Sequence, residues 1–264
     1  MFIIGELINS TRKAIKQAIQ ERDHAYLQDL ARLQAEAGAN AIDINVATGG
    51  NEVEQIQWAV DLVQEITDVT ICLDSPNPLA LEAGLKRCKS MAMINSISAE
   101  KERWDSVLPL VRDFKSKVVA LCMDDKGMPK DVIGCLSIAE KLVNGLTKAG
   151  IPEDDIYLDP LIKPICVDHN NGLFALEVTR AIREKYPNVH IISGLSNISY
   201  GLPERRLINR SFMVMSVALG MDAFILDPLD QTMMSLLSAS TVLVGKDEYC
   251  MNYITNVRAG LVKA

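Results

Sequence analysis

Eight times along the chain a short apolar, β-branched run is followed by a longer amphipathic stretch, from the first residues to about residue 244. The two patterns differ in period. A strand buried on both faces reads as a nearly continuous apolar run, whereas a helix packed on a sheet repeats its apolar positions every three to four residues. The strand signals fall at 2–5, 41–46, 70–74, 92–95, 118–123, 156–159, 191–194 and 223–227. The helical signals fall at 26–37, 53–66, 79–88, 101–114, 132–149, 173–185, 206–219 and 231–244. Strands joined through helices pair in parallel, because a parallel connection needs a long crossover. Eight such units in about 250 residues predict an α/β fold, a closed (β/α)8 TIM barrel, rather than an open doubly wound sheet. No G-x-G-x-x-G follows the first strand and no P-loop occurs, which weighs against the nucleotide-binding open sheets.

Local signals support these boundaries. Gly38 and Gly150 stand where helices end, and Pro78 and Pro152 where a helix starts or a loop turns. No Ser- or Pro-rich tract, charge block or shift in composition marks a second domain, so residues 1–264 are expected to form one. The balance of 27 Lys and Arg against 34 Asp and Glu gives a net charge of −7 and no basic patch for nucleic acid. Lys86, Arg87 and Lys89 read as a solvated helix face. Apolar stretches are broken by Asp222 or by glycine before the roughly 20 residues that a membrane span needs. The start, MFIIGELINS, has neither a basic n-region nor a cleavage site, so a cytoplasmic location is expected. Six cysteines form no CxxC pair and three histidines no ligand pair, so no bound metal of the chain's own is expected.

In a barrel of this kind chemistry is built where strands end. The predicted strands run into Glu6 and Asn9, Asp43 and Asn45, Asp74, Asn95, Asp124, Asp159, Ser196 and Asn197, and Asp227. Any one of these is expected at a strand-helix junction, because Asp and Asn cap helices and make Asx turns. Together they suit a neutral or cationic ligand rich in hydrogen-bond donors. A pterin is such a ligand: its 2-amino group and N3–H form a flat donor pair that one carboxylate accepts in two parallel bonds.

The segments GELIN at 5–9, ANAIDINVA at 39–47, LDSPNPLALEAGLKRCK at 73–89, MINS at 93–96, YLDPLI at 157–162, GLSNIS at 194–199 and RLINRSF at 206–212 carry a resemblance over essentially the whole chain. It is to the methyltetrahydrofolate:corrinoid protein methyltransferase family, whose relatives include the folate domain of cobalamin-dependent methionine synthase and dihydropteroate synthase. The resemblance implies a homodimeric TIM barrel with tetrahydrofolate or 5-methyltetrahydrofolate as substrate. It would exchange the N5 methyl group with the cobalt of a corrinoid (cobalamin) bound to a partner corrinoid protein. It further implies that Asp159 holds the pterin 2-amino and N3–H edge, that Asp74 and Asn95 make further pterin contacts, and that Asp43 joins their network. Asn197 would stand at N5, with Ser196 and Gly194 of the same GLSN segment lining the folate, and Asn197 and Asp74 would serve catalysis. Arg205 would lie beside the benzoyl-glutamate tail, although the loop 200–203 departs from the amide-rich sequence expected there.

Three other readings remain. A dihydropteroate-synthase-like enzyme should carry a Ser-Thr-Arg-Pro-Gly type loop after strand two, where this chain has NVATGGNE without arginine. A non-catalytic folate-binding protein would keep the pocket and show no turnover, and a metal-dependent barrel enzyme would be sensitive to chelator. Asp168-His169 lacks the spacing of the D-x-H-x-x-G corrinoid signature, and about 20 residues follow the eighth helix, so the corrinoid is expected on a separate protein. The loops at 164–172 and 200–204 favour transfer from methylcorrinoid protein to tetrahydrofolate.

Overall fold

In the computed structural model, which describes residues 1–263, eight parallel strands close into a barrel in sequence order. They are β1 (Phe2–Asn9), β2 (Ala41–Asn45), β3 (Thr70–Asp74), β4 (Met93–Ala99), β5 (Lys117–Asp124), β6 (Ile156–Asp159), β7 (His190–Gly194) and β8 (Ala223–Leu226). Closure is made by β8 against β1, in the register Phe2 to Ala223 through Gly5 to Leu226. The helices are α1 (Lys13–Glu21), α2 (His24–Glu36), α3 (Glu52–Gln64), α4 (Pro78–Leu85), α5 (Lys101–Asp113), α6 (Val132–Lys148), α7 (Asn171–Lys185), α8 (Arg205–Ala218), α9 (Gln231–Leu243) and α10 (Met251–Arg258). Asp23, Asn51, Asn77, Asp131 and Asp230 cap α2, α3, α4, α6 and α9 by accepting a backbone N–H. No helix among the described residues is long and apolar enough to cross a membrane.

Because side chains alternate along a strand, each strand divides its residues between the barrel interior and the helices. The outward set, including Ile3, Ile42, Leu73, Ile94, Val118, Leu158, Ile191 and Phe224, belongs to the large core shared with the helices. Ile4, Ala41, Cys72, Met93, Val119, Tyr157, Ile192 and Ala223, one from each strand, fill the barrel as a separate buried cluster. Two residues further along each strand, and so on the same face, stand Glu6, Asp43, Asp74, Asn95, Leu121, Asp159, Gly194 and Ile225. An apolar plug thus floors a cup that is polar on β1 to β4 and β6, glycine on β7, and apolar on β5 and β8.

Three elements depart from the sequence expectation. β1 runs to Asn9 rather than ending at residue 5, with a register shift between Gly5 and Ile8. Gln34 of α2, fully buried, accepts the Leu7 backbone N–H at 3.0 Å and so supplies the partner that the shifted strand lacks. Gly5 makes room for it, since a Cβ there would lie 2.4 Å from the Gln34 Oε1. β4 likewise continues past residue 95 to Ala99. An additional helix, α1, precedes α2; it buries Ile15, Ala18 and Ile19 and ends on a left-handed Arg22 rather than on glycine.

Candidate active site

The cup contains two buried networks. On one side the Asn95 Nδ2 donates to the Asp43 Oδ1 at 3.2 Å, and the Asn45 Nδ2 donates to the Asp74 Oδ2 at 3.0 Å. Ser10 fixes the orientation of Asn45 by donating to its Oδ1 at 2.7 Å. Burial pushes both carboxyls above the usual range, Asp43 furthest because the Asp74 charge adds to it. Two adjacent carboxylates cannot both ionise cheaply away from water, so each carboxyl resists the ionisation of its neighbour. The Cys72 thiol beneath is raised in turn, by burial and by Asp43.

Arg103 of α5 braces this side from outside. It donates to the carbonyls of Ser96, Pro76 and Ser75 at 2.8, 2.7 and 2.9 Å, tying the loop after β3 to strand β4. Its charge also draws the Asp74 carboxyl back down.

On the opposite side Asp159 is 8% exposed, and its Oδ1 accepts the Leu161 backbone N–H at 2.7 Å. Burial raises this carboxyl to about 7, against the lowering effect of the Leu161 and Gly194 backbone N–H groups. Gly194 opens the wall beside it. A Cβ at that position would come within 3.2 Å of the Asn197 Nδ2, so the Asn197 amide folds over the β7 strand end. Asn197 is otherwise exposed, on the 3-10 turn Leu195–Ser199.

Arg205 opens α8 and donates to the Ser196 carbonyl at 2.7 Å and to the Ser199 Oγ at 3.1 Å. Its guanidinium therefore braces the turn that carries Asn197. It also lines a cavity of about 230 Å3 with Glu6, Arg12, Ser196, Arg206 and Asp227. The Arg12 guanidinium holds the Glu6 Oε1 at 2.8 Å, and the Ser196 Oγ donates to the Glu6 Oε2 at 3.5 Å.

Not every polar residue at a strand end faces the cup. Asp124 accepts the Lys126 N–H at 3.0 Å and the Lys141 Nζ at 3.3 Å, and Asn9 accepts from Thr11 through both backbone and hydroxyl. Both are turn formers. Asp227 accepts the Leu229 N–H at 2.9 Å while its charge reaches Glu6. A larger cavity, about 640 Å3, lies between α2, α9 and α10, but its buried carboxylate Asp247 is used to cap α10 through Asn252 and Tyr253. Glu6 and Asn45 stand in the strand-end set read from the sequence but without a role of their own, and Ser10 and Arg103 are not in that set at all. Glu6 lies two residues along β1 from Ile4 of the plug and Asn45 four along β2 from Ala41, so alternation recovers both, whereas Ser10 and Arg103 carry no such signal.

A sequence profile of pterin binding enzymes matches residues 5–227, from the first strand to the end of the eighth. The chain belongs to the pterin-binding enzyme family. Among similar proteins, a methylcorrinoid:tetrahydrofolate methyltransferase of Eubacterium limosum is 37% identical over 99% of this chain and 98% of its own length. A methionine synthase of Mycobacterium tuberculosis is 28% identical over 85% of this chain, which spans 20% of that longer protein. Two solved dihydropteroate synthases share the fold. That of Coxiella burnetii superposes with a TM-score of 0.69 at 17% identity, covering 92% of each chain. That of Yersinia pestis does so with 0.67 at 14%, covering 94% of each. As a pterin-binding enzyme the protein is thus a (β/α)8 barrel whose polar cup opens at the carboxyl ends of its strands.

Proposed function

We propose that this enzyme moves a methyl group between N5 of tetrahydrofolate and the cobalt of a corrinoid carried by a separate protein, in the direction from methylcorrinoid to tetrahydrofolate. The observation that carries this reading is a buried carboxylate, Asp159, set beside an amide, Asn197, that folds over the same wall of the cup. A carboxylate with free lone pairs at the cup wall accepts the 2-amino and N3–H donors of a pterin together, and ligands lacking that donor pair leave it unpaired at a cost. Asp74, Asn95 and Asp43 take the remaining polar ring atoms, with Ser196 and Gly194 completing the wall. The relative's designation, methylcorrinoid:tetrahydrofolate methyltransferase, supports both the chemistry and the direction.

The N5 lone pair attacks the methyl carbon, and the carbon–cobalt bond breaks with both electrons left on the metal. N5 becomes cationic before its proton departs. The Asn197 amide oxygen accepts a hydrogen bond from N5–H as that charge develops, an interaction stronger in the transition state than in the ground state. In the reverse direction the same amide, rotated, presents its nitrogen to an unprotonated N5. Arg205 holds the turn in place and stands where the folate tail leaves the cup. We infer a homodimer as the working unit, supported by an apolar groove between α7 and α8 in which Leu173, Leu207 and Met215 are exposed.

Separately purified methylcorrinoid proteins mixed with enzyme and tetrahydrofolate test this reading, with the reverse reaction run alongside. Net transfer to tetrahydrofolate supports it, transfer only from 5-methyltetrahydrofolate reverses the direction, and transfer in neither direction refutes it.

A further inference from the structure

The proposed chemistry leaves a proton to be placed. When the N5 lone pair forms the new bond to carbon and cobalt keeps the electrons of the broken one, the N5–H bond must also break. Its electrons return to N5 as a lone pair and its proton leaves the cup. Asn197 cannot take that proton, because an amide is not a base at neutral pH.

We infer that Glu6 is the carboxylate that exchanges the N5 proton with solvent, acting through the Ser196 hydroxyl. This rests on the methyl-transfer reading above. Glu6 stands on the inward face of β1, two residues beyond Ile4 of the barrel plug, so its side chain belongs to the cup wall. The Ser196 Oγ lies 3.5 Å from its Oε2 and follows Gly194 on the turn that carries Asn197. The hydroxyl is both donor and acceptor: it takes the N5 proton on its oxygen and passes its own to the Glu6 Oε2. On the far side, the Glu6 Oε1 meets Arg12 at 2.8 Å, in the cavity of about 230 Å3 that adjoins the rim. Arg12 is 44% exposed and Glu6 18%, so the proton's exit to water lies one residue away.

The charged groups around Glu6 are Arg12 from the loop after β1, Asp43 on β2, Arg205 on α8 and Asp227 after β8. Arg206, and Asp230 with its partner Arg210, complete the cavity and its edge. Burial and Asp227 raise the Glu6 carboxyl above its ordinary value, and Arg12, Ser196 and Arg205 oppose them. A carboxyl raised toward the working pH is a better proton acceptor than an unperturbed one, and it still releases its proton to solvent. Glu6 reaches the folate only through Ser196, so it is a positioning residue for the proton rather than a group that touches the substrate.

The test is the pH dependence of single-turnover methyl transfer from free methylcobalamin to tetrahydrofolate, and of its reverse, in wild type, Glu6→Gln and Glu6→Asp. In wild type the forward rate rises with pH through the Glu6 titration and the reverse rate falls through it. Glu6→Gln keeps the shape of the side chain and removes the titration. It is expected to lower the forward rate about 10²-fold and to flatten that limb, with tetrahydrofolate affinity within about threefold of wild type and the limb restored in Glu6→Asp. Any limb common to wild type and Glu6→Gln belongs to the substrate. A Glu6→Gln profile parallel to wild type overturns the assignment, and so does a loss of folate binding with an unchanged limb. A second readout does not need turnover: the infrared difference between wild type and Glu6→Gln, each bound to tetrahydrofolate, followed through a pH titration. A Glu6 carboxyl band that titrates supports the role even if methyl transfer itself fails, and a band that never changes overturns it.

Discussion

The Asn197 amide nitrogen sits 3.2 Å from the point a methyl group on Gly194 would occupy. The backbone at Gly194, with φ −71° and ψ 85°, does not itself demand glycine. What demands it is the side chain folded across it, so the two residues work as one unit: the absence of a Cβ on β7 sets where the amide stands. Gly194→Ala should therefore move Asn197 by a few tenths of an ångström and leave the barrel intact. The expected result is a melting temperature close to wild type with methyl transfer slowed about tenfold, since misplacing a reacting contact costs rate more than stability. Thermal melts and single-turnover rates measured on the same preparation check this, and a variant with wild-type rate removes the reason given for this glycine.

Asp159, with its carboxyl at about 7, makes folate binding depend on pH in a definite direction. Below that value the empty enzyme holds a proton that the pterin donor pair must displace. Affinity should then rise with pH up to about 7, at most tenfold per unit, and level off above it. Calorimetry in buffers of different ionisation enthalpy should record about one proton released per folate bound on the acid side. The same carboxyl acts on stability with the sign of a raised acid: its contribution is fully present below the unfolded value and is lost as pH rises through 7. Asp159→Asn should raise the melting temperature of the empty protein more at pH 8 than at pH 5, while folate affinity falls. Unchanged affinity would refute the anchoring role.

Arg103 holds three backbone carbonyls, two from the loop after β3 and one from β4, in one planar fork. Lysine has the charge but not the fork, so Arg103→Lys should recover little of what Arg103→Ala loses. Arg103→Ala should cost about 2 kcal/mol in denaturant unfolding and weaken folate binding, because Ser75 and Ser96 follow Asp74 and Asn95 directly. A lysine variant that matches wild type in both measurements contradicts this.

The barrel was legible because its two periodicities are local properties: each strand reads as a continuous apolar run and each helix as an amphipathic one. Much of the cup was legible for the same reason. Asp43, Asp74, Asn95 and Asp159 each stand two residues beyond a plug residue, so alternation alone turns all of them inward. The length of β1 depends on Gln34, which comes from the second helix to satisfy the Leu7 backbone, and no local signal announces a partner 27 residues away. Arg103 was equally hidden. It shares its helix with Lys101, Glu102 and Asp105, and from sequence it is one more charge on a solvated face. Asp124 and Asn9 show the converse case: residue types that suit a ligand were used by the chain to make turns. Arg205 falls between, since its type and position are readable but the carbonyl and hydroxyl that hold it are not.

The most direct measurement is single-turnover transfer of an isotopically labelled methyl group from methylcobalamin to tetrahydrofolate, run with wild type and with Asn197→Ala. Wild type should form labelled 5-methyltetrahydrofolate together with an equal amount of Co(I), the product required if the carbon–cobalt electrons stay on the metal. Asn197→Ala should bind tetrahydrofolate nearly as well and react about 10²-fold more slowly, equivalent to roughly 2.7 kcal/mol of transition-state stabilisation. Labelled product formed at the wild-type rate by Asn197→Ala, or no labelled 5-methyltetrahydrofolate from wild type, would contradict the account.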